Sequence, residues 1–287
     1  MTVSAGGSHT GMKRDHNEDC YKSDPELGLW LVADGVGGHA NGEVASAIVR
    51  DTIASEVAAG TDLTEAVLSA HKAVLQEIEL REGSNMGSTV VAVTLRGDRY
   101  DIVWVGDSRA YLYDETVEQL TQDHNPVSQM LAQGILTPEQ ADAHPDRHVL
   151  SQSLGVANTV RVDPGHVTGK LEPGQQILLC SDGLTDELTD LEIAAKLAGH
   201  SAPDDQVNIL ISAALKSGGR DNVTVVMVGA SNFSMQADAI PAGEPTQTMR
   251  QITPKLHSSA KHNDRKAIIV LGAMVVIALL WVLFSNP

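Results

Sequence analysis

Four aspartates fall beside apolar, β-branched runs, each next to a residue suited to a tight turn. Leu29–Ala33 runs into Asp34-Gly35, Asp101–Val105 into Gly106-Asp107-Ser108, and Gln176–Cys180 into Ser181-Asp182-Gly183, while Asp221-Asn222 precedes Val223–Val228. An acidic pair, Glu18-Asp19, comes before the first of these runs. One Asp-Gly after a strand is ordinarily a turn, because both residues suit turn geometry. Four such placements suggest more, since carboxylates gathered at one edge of a sheet repel each other unless cations neutralise them.

The donors available are carboxylates and backbone carbonyls, with no matching Cys or His set, which suits Mg²⁺ or Mn²⁺ and disfavours zinc. No D-x-[DN]-x-[DN]-G loop occurs, so an EF-hand is not indicated. Two hard cations bridged by a carboxylate can deprotonate a water and stabilise both oxygens of an in-line phosphoryl displacement. Arg14, four residues before Glu18, could pair bidentately with a phosphate; on spacing alone an ordinary exposed arginine fits equally well. Gly35, Gly37, Gly38 and Gly42 do not match G-x-G-x-x-G, and no Gly-Lys-Ser/Thr appears, so nucleotide-cradling loops are unsupported. These glycines are expected to let backbone approach a metal or its waters. His39 among them is a candidate proton donor, with a loop histidine of no catalytic role as the alternative.

The elements that must position these groups are short strands and paired helices. Strands are expected over Leu29–Ala33, Ser88–Leu95, Asp101–Val105, Arg109–Tyr113, Gln176–Cys180 and Asn222–Val228. Helices are expected over Gly42–Ala59, Leu63–Arg81, Asp190–Ala198 and Pro203–Lys216, with Asp62 or Thr61 capping the second and Gly199 and Gly218 as stops. Clustered strands with helices arriving in pairs predict an α+β fold of antiparallel sheets with segregated helices.

Composition bounds the partners. The 287 residues carry a net charge of −17, which argues against nucleic acid, whose phosphates are held by Lys and Arg. Cys20 and Cys180 form no C-x-x-C pair, so neither a disulfide framework nor a thiolate zinc site is indicated. Residues 267–284 carry no charge, with Lys261, Arg265 and Lys266 just before them. This pattern predicts a single transmembrane helix over 266–285 with the bulk of the chain cytoplasmic, at the cell membrane. The N-terminus lacks the apolar stretch of a signal peptide. Residues 231–265 have linker composition, which leaves 1–230 as the globular domain.

The motifs together resemble the metal-dependent protein phosphatases, the type 2C serine/threonine phosphatases, in their bacterial membrane-anchored form. The matching stretches are R-D-H-N-E-D (14–19), V-A-D-G-V-G-G-H-A-N-G-E-V-A-S (32–46), M-G-S-T (86–89), V-G-D-S-R-A-Y-L (105–112), L-T-Q-D-H (120–124), H-V-L-S-Q-S-L-G (148–155), L-L-C-S-D-G-L-T-D (178–186) and G-G-R-D-N-V-T-V-V (218–226). They occur in the family's order across about residues 5–230.

The resemblance implies two facing antiparallel sheets flanked by helix pairs, with a two-metal centre at one edge. It implies that Asp34 bridges two Mn²⁺ or Mg²⁺ ions, with the Gly35 carbonyl on one of them. It implies that Asp182 and Asp221 complete the ligands of the first ion, and that Glu18 or Asp19 serves the second. A third ion would fall to Asp107 with Asp182, Arg14 would bind phosphate, and residues 124–154 match the family's variable flap. The implied reaction is one-step hydrolysis of phosphoserine and phosphothreonine in proteins by a metal-bridging hydroxide, reversing a bacterial Ser/Thr kinase and acting on its targets. Val36 stands where the family's animal enzymes carry a histidine, so the leaving alkoxide takes its proton elsewhere.

Overall fold

Strand β3 (Leu29–Gly37) is apolar on both faces, and its side chains divide between two cores. Trp30 and Val32 point into the space between two sheets, whereas Leu29, Leu31 and Ala33 meet a helix layer. That double burial is why the run reads as continuous rather than alternating apolar residues. The computed structural model describes residues 2–37, 41–82, 85–155 and 161–230.

One sheet orders β1 (Thr2–His9), β11 (Val223–Ala230), β10 (Gln176–Cys180), β7 (Arg109–Asp114) and β8 (Thr116–Gln119). The other orders β2 (Asp19–Asp24), β3, β5 (Val90–Arg96), β6 (Arg99–Val105) and β9 (Gly165–Lys170), with β4 (Met86–Ser88) paired to the end of β3. Every pairing is antiparallel. Helices α1 (Asn41–Ala58) and α2 (Leu63–Leu80) cover the second sheet through Val49, Ile53 and Val67. The short α5 (Asp182–Thr185), with α6 (Asp190–Leu197) and α7 (Pro203–Ser217), covers the first through Leu184, Ile193 and Leu210. The expected sandwich of two antiparallel sheets between helix layers is therefore present.

Local signals held at the helix ends. Asp62 accepts a hydrogen bond from the Thr64 N–H at 3.0 Å, so it rather than Thr61 caps α2. In the flap segment, α3 (Pro126–Ala132) and α4 (Pro138–Asp142) each start on a proline after a capping Asn125 or Thr137. Several elements depart from the sequence reading. Asp34 lies inside a strand rather than at its end, because β4 pairs with Gly35–Gly37 beyond the point where β5 leaves off. Asp182 begins a helix rather than a turn. Strands β1, β2, β8 and β9, which carry no continuous apolar run, form the sheet edges, where one side needs no buried partner.

The chain divides into residues Met1–Met235 and Gln236–Pro287. The expected linker at 231–265 and membrane helix at 266–285 lie outside the described residues, as does His39. Among the described residues no helix is long and apolar enough to cross a membrane.

Candidate active site

The carboxylates converge. Antiparallel pairing sets Asp19 of β2 directly opposite Asp34 of β3. The turn after β6 delivers Asp107, with Gly106 at φ +108°, and the start of α5 delivers Asp182. Asp221 arrives just before β11. A cleft of about 480 Å³ is lined by Arg14, Glu18, Asp34, Gly35, Asp107, Asp182 and Asp221. Asp19 stands behind it, nearly buried, and accepts hydrogen bonds on Oδ2 from Ser181 Oγ (2.8 Å) and Thr224 Oγ1 (2.6 Å).

Glycines make this crowding feasible. A Cβ on Gly35 would collide with the Gly42 carbonyl oxygen, and one on Gly183 with the Asn222 carbonyl oxygen. Both glycines thus admit neighbouring backbone; of the glycines expected to let backbone approach a metal or its waters, Gly35 also makes room for the Gly42 carbonyl. Asn222 ties the N-terminal segment to the cleft: its Oδ1 accepts from the Glu18 N–H (2.8 Å), and its Nδ2 donates to the Thr10 and His16 carbonyls (2.8 and 2.9 Å). Thr89 brackets Asp34, donating its N–H to the Asp34 carbonyl (2.8 Å) and accepting the Asp34 N–H on Oγ1 (3.2 Å).

The electrostatics follow from this packing. Asp34 and Asp182 touch the cleft but are densely surrounded, and poor solvation lifts both carboxyls well above the usual range. For Asp34 the charges of Asp19, Asp182, Asp107 and Asp221 add to that rise. Burial likewise pushes Asp19 and Asp107 up to about 6, and Glu18 is raised for the same reason. Such a cluster is costly unless a cation balances it.

The donor set fits divalent cations. Oδ1 of Asp19 and Oδ1 of Asp182 are enclosed yet have no hydrogen-bond partner among the described residues, which is unusual for buried carboxylate oxygens. Hard oxygen ligands of this kind are what Mn²⁺ and Mg²⁺ take. At the rim, Arg14 donates from Nη2 to Asp221 Oδ2, and its side chain remains 51% exposed.

Two residues that the sequence reading gave no role also face the cleft. His148, from the flap segment, sits with Nδ1 3.6 Å from Asp186 Oδ2. Ligand atoms of His148, Asp182 and Asp186 lie within 4.8 Å of one another. Both newcomers fall inside matched motifs, at 148–155 and 178–186, so position within a motif was the available signal. Behind Asp107, Arg109 pairs bidentately with Asp123, and the His124 N–H donates to the Gly106 carbonyl (2.9 Å), which fixes the Asp107 turn.

Comparison with known proteins agrees with this geometry. The protein phosphatase 2C family profile matches residues 6–209. The serine/threonine protein phosphatase PstP of Mycobacterium tuberculosis is 34% identical over 260 residues, 87% of this chain and 49% of that protein. The chain thus spans about half the length of that relative. The serine/threonine phosphatase stp of Listeria innocua is 32% identical over 244 residues, 80% of this chain and 96% of that protein. The crystal structure of the PstP catalytic domain with two manganese ions superposes with a TM-score of 0.70 at 33% identity, covering 79% of this chain and 97% of that one. With the profile matching most of the chain and a 32%-identical relative matched over 96% of its length, this chain belongs to the protein phosphatase 2C family.

Proposed function

We propose that the chain is a divalent-metal-dependent protein phosphatase acting on phosphoserine and phosphothreonine. The observation that carries this reading is the gathering of Glu18, Asp34, Asp107, Asp182 and Asp221 on one cleft with Asp19 just behind and an arginine at the rim, the enclosed oxygens of Asp19 and Asp182 finding no partner among the described residues. Asp34 would serve both cations, with the Gly35 carbonyl on one of them; Asp182 and Asp221 would complete the first, and Glu18 or Asp19 would serve the second. Asp107 and Asp182 would hold a third, with His148 and Asp186 adjacent. The related catalytic domain with two manganese ions supports Mn²⁺ as the metal. When bound, such ions allow the carboxylates to ionise together, activate water and polarise the phosphoryl group.

The chain's own groups supply positioning. Arg14 keeps guanidinium donors free beyond its contact with Asp221 and so can take phosphoryl oxygens at the cleft mouth. Asn222 and Thr89 hold the Glu18 and Asp34 backbones by the bonds described above, which fixes the direction of the carboxylates. Val36, 40% exposed at the cleft, contributes an apolar wall and no proton.

Purified residues 1–235 should hydrolyse a phosphothreonine peptide in Mn²⁺, stop in EDTA and recover on re-addition of metal. Turnover that persists in EDTA would sink this reading. The uncharged run at 267–284 and its basic flank further support single-pass anchoring at the cell membrane with the catalytic domain cytoplasmic. A fully flexible tether of residues 231–265 reaches roughly 30–35 Å, which would favour membrane-proximal phosphoproteins such as a Ser/Thr kinase and its targets. A truncation ending near residue 262 should then leave the membrane fraction; retention there would refute the anchor.

A further inference from the structure

The end of the second sheet opposite the carboxylates carries an arrangement that catalysis does not use. Arg96 of β5 pairs directly with Arg99 of β6, which pairs directly with Lys170 of β9. Like charges placed directly opposite across strands destabilise a sheet, and this row takes three of the few basic residues in a strongly acidic chain. Lys170 Nζ lies 3.4 Å from Asp98 Oδ2. The side chains of Arg96 and Arg99 are exposed and have no ion pair or hydrogen bond among the described residues.

The row rims a cavity of about 380 Å³ between the α1–α2 connection and the sheet. Its interior is mostly apolar or hydroxylic, with Val57, Leu63, Tyr100, Thr61, Thr94 and Thr168 among the lining residues. Its two carboxylates are already engaged. Asp62 caps α2, and Asp101 meets His166 Nε2 at 2.6 Å. A flat anionic bilayer would reach the arginine tips but not this interior.

We propose that the cavity is a second, non-catalytic ligand site for a small amphiphilic anion, a phosphate, sulfonate or carboxylate on an apolar body. The apolar body fills the space beside Leu63 and Val57, and the anionic group meets Arg96 and Arg99. The volume falls in the range of small-molecule sites. Strands β5 and β6 separate it from the catalytic edge by about 20 Å, at 3.3 Å per residue.

The test uses residues 1–235, the first compact unit of the chain; a Listeria relative is matched over 96% of its own length by 80% of this chain, so a protein of about this size folds alone. The probe is 1-anilinonaphthalene-8-sulfonate, titrated by fluorescence in EDTA so that the catalytic carboxylates repel it. Saturable binding with one site per chain is expected. Arg99→Glu should weaken it at least tenfold and at the same time raise the melting temperature by about 1–3 °C, because it replaces repulsion on both flanks with attraction. Thr168→Trp, at an exposed strand position, fills the cavity and leaves the arginines in place, and should also abolish binding. Unchanged affinity in either variant would overturn the proposal. So would binding to anionic phosphatidylglycerol vesicles that Arg99→Glu abolishes and Thr168→Trp leaves intact, since that assigns the row to a bilayer surface.

Discussion

Raising the pH of the metal-free domain from about 4.5 to 7 should weaken its fold, the reverse of the usual behaviour of paired carboxylates. Asp19 and Asp107 have folded-state values near 6 against 3.8, chiefly because burial disfavours the charged form. A carboxyl raised on folding contributes stability that is fully present below its unfolded value and is lost as pH climbs through the folded one. The window therefore lies between about pH 4 and 6.5. Asp24, held low by the Leu27 N–H, and Asp51, held low by Arg50, lose their contribution only at lower pH, so they do not mask it. At 1.36 kcal/mol per pH unit, the shift of Asp19 alone corresponds to about 3 kcal/mol. Since the cluster is mutually coupled, the contributions of Asp19, Asp34, Asp107 and Asp182 will not add. Urea unfolding of residues 1–235 in EDTA at pH 4.5, 5.5, 6.5 and 7.5 should show a decline of about 3 kcal/mol. Asp34→Asn replaces a carboxyl whose ionised form burial and four neighbouring carboxylates disfavour with a neutral group that needs no proton to fold, so it should raise metal-free stability at pH 7 by about 1–3 kcal/mol. Saturating Mn²⁺ should restore the wild type by about 2.7 kcal/mol at one hundred times the dissociation constant, and Asp34→Asn by much less. Stability that stays flat or rises between pH 4.5 and 7 in EDTA, or an Asp34→Asn variant weaker than wild type there, would refute the electrostatic reasoning.

Other perturbations test separate parts of the site. Arg14→Ala should lower kcat/KM by about 10²-fold, with partial recovery in Arg14→Lys, measured on a phosphothreonine peptide. Gly35→Ala drives a Cβ into the Gly42 carbonyl oxygen and should cost about 3 kcal/mol or more in urea unfolding, with loss of metal affinity. Asn222→Leu leaves the Glu18 N–H and the Thr10 and His16 carbonyls unpaired; a cost of about 2–3 kcal/mol and a slower enzyme are expected.

The parts of the molecule that could be read in advance are those where one physical demand dominates. Strands β3, β5, β10 and β11 are buried on both faces, so their apolar runs stood out within a few residues of their true spans. The acidic positions were legible because charge placed beside such runs is conspicuous. Edge strands β1 and β9 were not legible, since Gly, Ser and Lys satisfy an edge as well as a loop. The placement of Asp34 within its strand depends on β4, a three-residue partner whose pairing nothing local announces. His148 escaped for a similar reason: only the path of the flap segment brings it within reach of Asp182 and Asp186. Resemblance supplied the roles of Gly35 and Arg14, and the structure supplied the neighbours that make those roles feasible.

On the proposed function, this carboxylate cluster holds at least two divalent cations. Calorimetric titration of residues 1–235 with Mn²⁺ at pH 7.5 tests it most directly. Two or more equivalents bound per chain are expected, with the loss of at least one of them in Asp34→Asn. A single equivalent or none in the wild type, or an unchanged stoichiometry and affinity in Asp34→Asn, would contradict it.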